Sequence, residues 1–232
     1  MKKKIIILGF QRTGTNLIKE FYYKYLNYKS NSKTRVKNKQ IYIGLKRDDI
    51  FKFENNNFYI FQIWKKKKYK KISKTEIKKK YILSTHNYNK NLFKIFEKHK
   101  FFISIRNPID TIASNINYVT KKNVMLFNKD YKIKNNFELI KNRKLVKKHI
   151  SNYYFFYKKI FNLKQKKYIL INYDEAKKKL ASINKLNVNS IKFKNFNLHS
   201  TKNDPYIKNY LINNYKLKKC FEIYDKILKI NQ

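Results

Sequence analysis

The sequence predicts an α/β fold with three layers, in which a central parallel sheet is flanked by helices on both faces. Short apolar stretches typical of buried strands alternate with helical patterns along most of the chain. The strands are expected at Ile5 to Leu8, Phe58 to Trp64, Tyr81 to Leu83, Phe101 to Ile105 and Tyr168 to Ile171. The helices are expected at Thr15 to Asn27, Asn91 to Lys98, Pro108 to Val119 and Phe137 to Phe161. Ligands of such sheets bind at the carboxyl ends of the strands, which here precede Gly9, His86, Arg106 and Tyr173.

The length and composition favour one domain over residues 1–232, since 42% of the residues are hydrophobic and can form a sizeable core. The net charge of +43 would suit a nucleic-acid binder, but only 5 of the 57 cationic residues are arginines. Lysine, asparagine, isoleucine, phenylalanine and tyrosine are all encoded by A/T-rich codons, and that bias alone would produce this composition. The charge is therefore weak support for nucleic-acid binding, although it would attract anionic ligands at low salt.

The single cysteine, Cys220, lies in a helical pattern and is expected to be a small core residue. One cysteine excludes a disulfide within the chain, which suits a reducing compartment. No apolar run is long enough to span a membrane, and the apolar stretch after Met1 is too short for an export signal. These observations predict a cytoplasmic protein.

The first chemical signal is a loop that contains two of the chain's three glycines, Gly9 and Gly14. A loop between a strand and a helix directs backbone N–H groups and the positive end of the helix dipole at one point, where an anion can bind. The spacing matches the start of a nucleotide P-loop, but Thr15 and Asn16 stand where that motif has Lys and Ser or Thr. The loop's cation, Arg12, precedes Gly14. The pattern predicts a phosphate-binding loop without the usual lysine, and a plain structural joint is the alternative.

The second signal is the stretch from Arg106 to Ser114, which follows a predicted strand. Asn107 can cap a helix, Pro108 fits its first position, and Asp110 complements the helix dipole. The buried stripe of that helix is expected to comprise Ile109, Ile112, Ala113 and Ile116. Ser114 lies about 140° from Ile109 around the helix, on the open face. Arg106 and Ser114 could therefore bind one anion, and arginine suits phosphate because its planar group pairs with two oxygens.

The third signal is His86, which directly follows a predicted central strand. An imidazole at that edge of the sheet can accept a proton from a hydroxyl near neutral pH. His99 and His149 lie among lysines in helical patterns and are expected to be exposed.

Three segments together, Gly9 to Thr15, Ser84 to His86 and Arg106 to Ser114, resemble the sulfotransferases that use 3′-phosphoadenosine 5′-phosphosulfate. The resemblance implies a P-loop-NTPase-like fold and a donor that binds without a metal. In this family the loop binds the 5′-phosphosulfate, a histidine after a strand is the catalytic base, and an arginine and serine eight residues apart bind the 3′-phosphate. The resemblance implies that His86 is the base and that Arg106 and Ser114 bind the 3′-phosphate. It implies that Arg12 assists catalysis and that the 5′-phosphosulfate binds to a loop comprising Gln11, Arg12, Thr13, Gly14, Thr15 and Asn16. Tyr173 resembles the family's tyrosine near the adenine.

Several positions depart from the family pattern. Gln11 replaces the usual proline, Asn16 replaces a threonine, and His86 is not followed by the Leu-Pro of the small-molecule enzymes. No Arg-Lys-Gly segment is found near the end of the chain, where Lys202 is the candidate replacement. The acceptor hydroxyl is therefore open between small molecules and glycans, with the basic run Lys65 to Lys71 slightly favouring an acidic glycan.

Two other classes of function are weighed against this interpretation. A P-loop phosphotransferase would use ATP and Mg²⁺, but it needs the missing lysine after Gly14 and a metal-binding carboxylate at a strand end. A nucleic-acid-binding protein would gather its cations and aromatic residues on one face, whereas here both are spread along the chain.

Overall fold

A computed structural model describes residues 4–26, 35–37, 40–42, 50–61, 70–78, 82–122, 136–163, 168–191 and 205–230. The strands are β1 (Ile5–Gly9), β2 (Arg35–Lys37), β3 (Gln40–Tyr42), β4 (Ile50–Glu54), β5 (Asn57–Phe61), β6 (Lys70–Ile72), β7 (Ile82–Thr85), β8 (Lys100–Ile105) and β9 (Ile169–Asn172). The helices are α1 (Thr15–Leu26), α2 (Lys74–Lys78), α3 (Asn91–Ile95), α4 (Pro108–Lys122), α5 (Asn136–Lys141), α6 (Arg143–Phe161), α7 (Ala176–Ile183), α8 (Pro205–Asn214) and α9 (Lys218–Ile230). No helix in these ranges is long and apolar enough to cross a membrane.

The chain forms two compact units. The first comprises Met1–Phe10, Gly14–Ser104 and Lys166–Ile191, and the second comprises Gln11–Thr13, Ile105–Gln165 and Lys192–Gln232.

The first unit contains the central sheet, with strand order β7-β1-β8-β9. Strand β1 pairs in parallel with both β7 and β8. Its residues Ile5, Ile6 and Ile7 are completely buried, as expected for a strand covered on both faces. The four-stranded parallel sheet with flanking helices confirms the predicted α/β class.

One predicted strand of this sheet is wrong. Residues 58–61 of the stretch expected at Phe58 to Trp64 belong to β5, the middle strand of a separate antiparallel sheet in the order β4-β5-β6, and residues 62–64 lie outside the described residues. Asn55 and Asn56 both adopt positive φ, at 48° and 58°, and form the two-residue turn between β4 and β5. Asparagine tolerates that conformation, which matches the twist of a hairpin. An apolar run alone could not distinguish a hairpin strand from a strand of the parallel sheet.

The described residues of the second unit are mostly helical. The buried stripe of α4, which includes Ile112, Ala113 and Ile116, packs into one apolar cluster with residues of α5, α6 and α8. The single helix expected at Phe137 to Phe161 is instead two helices, because Asn142 interrupts it. The side-chain oxygen of Asn142 accepts a hydrogen bond of 3.1 Å from the backbone N–H of Leu145 and thereby caps α6.

The other predicted elements lie within a few residues of those observed. Cys220 is buried in α9, as expected. Residues 65–69 of the basic run and Lys202 lie outside the described residues.

Candidate active site

The loop at residues 9–14 follows the fully buried β1 and leads into α1. Arg12 has a φ of 67° and Gly14 a φ of 100°, so the backbone turns through two left-handed residues. The carbonyl of Gly14 accepts hydrogen bonds from the N–H groups of Leu17 and Ile18, at 3.0 and 3.2 Å. The first N–H groups of α1, those of Thr15 and Asn16, have no acceptor within the helix, as at every helix start. This end of α1 therefore has the donors and the dipole that an anion requires.

Glycine is required at position 14 for two reasons. Its φ lies in the region that side chains disfavour, and a Cβ atom there would lie 2.7 Å from Cδ2 of Tyr173. Tyr173 directly follows β9, so its ring lies against the backbone of the loop. The structure thus brings together two of the predicted site residues, Gly14 and Tyr173.

Arg12 and Ser114 form a second pair. The Nε atom of Arg12 donates a hydrogen bond of 3.2 Å to Oγ of Ser114, although 102 positions separate the two residues. Ser114 was expected on the open face of α4, but it is 2% exposed. The expectation of an exposed hydroxyl is therefore wrong, and the observed partner of Ser114 is Arg12, whereas the sequence paired this serine with Arg106.

The start of α4 has the predicted caps. The side-chain oxygen of Asn107 accepts a hydrogen bond of 3.0 Å from the N–H of Ile109, and Asp110 forms an ion pair with Lys208 of α8. The carbonyl of Arg106 accepts a hydrogen bond of 2.7 Å from the hydroxyl of Tyr153, a completely buried residue of α6. This hydrogen bond holds the backbone at Arg106 in place, and no pattern in the sequence indicated Tyr153.

His86 lies where its strand predicts. Thr85 pairs with Leu8 in the parallel register of β7 and β1, so the next residues, His86 and Gly9, are neighbours. The Nδ1 atom of His86 lies 2.6 Å from the carbonyl oxygen of Gly9. A carbonyl only accepts, so Nδ1 carries the hydrogen, and in the neutral ring Nε2 has the lone pair. This tautomer is the one that a proton acceptor acting through Nε2 needs.

A further polar cluster was missed by the sequence analysis. Asn115 of α4 is 1% exposed, and its side-chain nitrogen lies 2.8 Å from Nε2 and 3.1 Å from Nδ1 of His149. The same nitrogen lies 3.5 Å from Oε1 of Gln11. His149 was expected to be exposed but is 4% exposed, and burial lowers its pKa to about 3. The burial of Asn115 could have been predicted from its position, because it lies three residues after Ile112 on the buried stripe of α4.

The remaining loop residues have different surroundings. The side chains of Thr13 and Thr15 are buried, whereas Gln11 and Asn16 are half-buried.

No group of three histidine, cysteine, aspartate or glutamate side chains in the described ranges is arranged to hold a metal ion.

A comparison with protein families assigns the class of this enzyme. The chain matches the family model described as the sulfotransferase domain over residues 2–230. It therefore belongs to the sulfotransferase family and is an enzyme that transfers a sulfuryl group to an acceptor substrate. No curated protein and no solved structure matches the chain in the corresponding searches.

Proposed function

We propose that the protein transfers a sulfuryl group from 3′-phosphoadenosine 5′-phosphosulfate to an acceptor hydroxyl, with His86 as the base and without a metal ion. Sulfotransferases in general use this donor, which supports its assignment here. The observation that carries the proposal is the hydrogen bond between Arg12 and Ser114, because it joins the loop residue proposed for the 5′-phosphosulfate to the helix residue proposed for the 3′-phosphate.

The 5′-phosphosulfate binds to the loop. The proposed donors are the backbone N–H groups of residues 13–16, and the open start of α1 supports this assignment. Gln11 adds a side-chain amide beside them, and Tyr173, whose ring lies against Gly14, is proposed to lie near the adenine. The guanidinium of Arg12 stabilises the negative charge that develops between the sulfuryl group and the departing phosphate.

The 3′-phosphate binds to Arg106 and Ser114. This phosphate distinguishes the donor from ATP, so its recognition decides the class of nucleotide. The hydrogen bond from Tyr153 to the carbonyl of Arg106 and the cap at Asn107 support the assignment, because both fix the backbone from which the guanidinium extends. Arginine can contact two phosphate oxygens at once.

His86 accepts the acceptor's proton at Nε2. As the hydroxyl oxygen forms its bond to sulfur, the bond between sulfur and the bridging phosphate oxygen breaks, and adenosine 3′,5′-bisphosphate leaves with the electron pair. The contact between Nδ1 and the Gly9 carbonyl supports this role, because it fixes the tautomer and the orientation of the ring. Positioning and electrostatic stabilisation supply most of the rate enhancement in the related phosphoryl transfers, and we expect the same here.

The proposed acceptor is a hydroxyl of a carbohydrate or a small molecule, and no specific nucleic acid takes part. We further propose that residues 1–232 act as one sulfotransferase domain in the cytoplasm. The span of the family match supports the single domain.

Calorimetric titration with adenosine 3′,5′-bisphosphate tests the proposal, with ATP and Mg²⁺ as the competing ligand. The titration needs moderate salt, because the net charge of +43 attracts any anion at low ionic strength. One-to-one binding of the bisphosphate in preference to ATP supports the proposed donor. Preference for ATP with Mg²⁺ would contradict it and favour a phosphotransferase.

A further inference from the structure

Two consecutive residues of α4 contact two consecutive residues of the loop. Ser114 accepts a hydrogen bond from Arg12, and the side-chain nitrogen of Asn115 faces Oε1 of Gln11 at 3.5 Å. The second contact is long, but Asn115 is fixed on its other side by His149, which is also buried.

The chemistry of this cluster defines which atom donates. Burial lowers the pKa of His149 to about 3, so its ring is neutral at physiological pH and one ring nitrogen is an acceptor. One hydrogen of the Asn115 side-chain nitrogen points to that acceptor. The nitrogen has a second hydrogen, for which Oε1 of Gln11, at 3.5 Å from the nitrogen, is an acceptor.

Asn115 also borders a small apolar cavity. The cavity is lined by Ile112, Ile116, Leu139, Leu145 and Val146 together with His149. Oδ1 of Asn115 is buried and has no hydrogen-bond partner among the described residues. A buried polar atom in that condition costs about 1–3 kcal/mol, which an apolar side chain of similar size would avoid. Packing alone therefore does not account for an asparagine at this position.

We infer that Asn115 is a positioning residue that orients the side chain of Gln11, and that His149 holds Asn115 in place. With Oε1 of Gln11 turned to Asn115, its side-chain N–H groups point the other way and bind the sulfuryl oxygens of the donor. Gln11 stands where the resembling enzymes have proline, so this chain replaces a rigid residue by an oriented hydrogen-bond donor. The inference rests on the proposed function and adds to it the part of the donor that Gln11 recognises.

The test compares two ligands that differ only in the sulfuryl group. 3′-Phosphoadenosine 5′-phosphosulfate, without acceptor, and adenosine 3′,5′-bisphosphate are each titrated into the wild type, Asn115→Leu, Gln11→Ala and the double variant. We expect each single variant to bind the phosphosulfate about five- to tenfold more weakly, the size of one lost hydrogen bond. Binding of the bisphosphate should change by less than about twofold, and the double variant should be no weaker than either single variant, since the two residues act as one unit.

Val146→Ala is the matched control, because Val146 lines the same cavity and lies in the same apolar cluster. It should lower the free energy of unfolding and leave the binding of both ligands unchanged. Asn115→Asp, which keeps the size but removes both donor hydrogens, replaces Asn115→Leu in the titrations if the leucine variant does not fold. We expect the same selective loss of phosphosulfate binding from it.

Four results would overturn the inference. Additive losses in the double variant would mean that Asn115 does not act through Gln11, and equal weakening of both ligands would mean that it only supports packing. A wild type that binds the bisphosphate, together with unchanged phosphosulfate binding in Asn115→Leu, removes this inference alone. A wild type that binds neither ligand removes the proposed function as well.

Discussion

Nε of Arg12 donates a hydrogen bond of 3.2 Å to Oγ of Ser114, which is buried in α4. The contact links a loop residue in a left-handed conformation to a helix that begins after Arg106. Strained backbone of this kind persists only where surrounding interactions hold it, and such residues are common at functional sites. The hydrogen bond to Ser114 is one such interaction, and it joins Arg12 of the loop to α4.

Ser114→Ala should weaken the binding of adenosine 3′,5′-bisphosphate about ten- to 100-fold, the loss of one hydrogen bond to a charged group. The variant removes the acceptor for Arg12 and the proposed donor to the 3′-phosphate at once. Calorimetry measures the change. Ser151→Ala, an exposed serine of α6, is the control and should bind like the wild type. Identical affinities for Ser114→Ala and the control would contradict the role of Ser114.

His86→Ala should reduce turnover about 10²- to 10⁴-fold, the usual contribution of a general base. Binding of the bisphosphate should stay within about threefold, because the proposed role of the ring is to take the acceptor's proton rather than to hold the donor. Initial rates with a sulfated acceptor as the measured product, together with calorimetry, separate the two effects. Near-normal turnover in the variant would show that another group is the base.

Gly14→Ala should lower the free energy of unfolding by about 1–3 kcal/mol, since the new methyl group meets a φ of 100° and the ring of Tyr173 together. Urea denaturation measures the loss. In the Gly14→Ala background, Tyr173→Leu should recover part of it, because the smaller side chain relieves the ring contact but not the backbone strain. If alanine at position 14 were as stable as glycine, the described loop conformation would be incorrect.

His149 should make stability depend on pH in a defined direction. Its pKa is about 3 in the fold because burial disfavours the charged ring, and near 6.5 when unfolded. As the pH falls, His149 is protonated in the unfolded state before it is protonated in the folded state. The stability that the protein has with a neutral His149 is therefore complete above pH 6.5 and is lost as the pH falls toward 3. The slope is at most about 1.4 kcal/mol per pH unit.

The difference in unfolding free energy between wild type and His149→Gln isolates this effect between about pH 6.5 and 5, above the range in which most carboxylates titrate. His99 is the comparison: it was also expected to be exposed but is half-buried, and burial together with the nearby Lys4 and Lys78 lowers its pKa to about 4. His99→Gln should remove the part of the pH dependence of the unfolding free energy that is due to His99, and it should leave the part due to His149 unchanged. A pH-independent difference between wild type and His149→Gln would mean that His149 is not buried.

Local sequence patterns predicted the central sheet, the loop and the start of α4. Four of the predicted strands form the central sheet, because continuous apolar runs such as that of β1 are needed where both faces are covered. The glycine spacing indicated the loop, and the Asn-Pro pair indicated the start of α4.

What the sequence did not predict depends on contacts between distant residues or on one side chain. Two asparagines in a left-handed conformation turned a predicted sheet strand into a hairpin, and Asn142 divided a predicted helix. His149 was misjudged because lysines precede it, although it faces the buried Asn115. Helical periodicity reports which residues share a face, but it does not report which polar partner that face meets.

The most direct test of the donor assignment is whether nucleotide binding depends on the 3′-phosphate. Adenosine 3′,5′-bisphosphate and adenosine 5′-phosphate are titrated into the wild type, Arg106→Ala and Arg143→Ala, an exposed arginine of α6 that removes the same charge elsewhere. We predict that the wild type and Arg143→Ala bind the bisphosphate at least about tenfold more tightly than the 5′-phosphate, and that Arg106→Ala loses most of this preference. Equal affinity of the wild type for the two nucleotides, or a preference that survives in Arg106→Ala, would contradict the assignment.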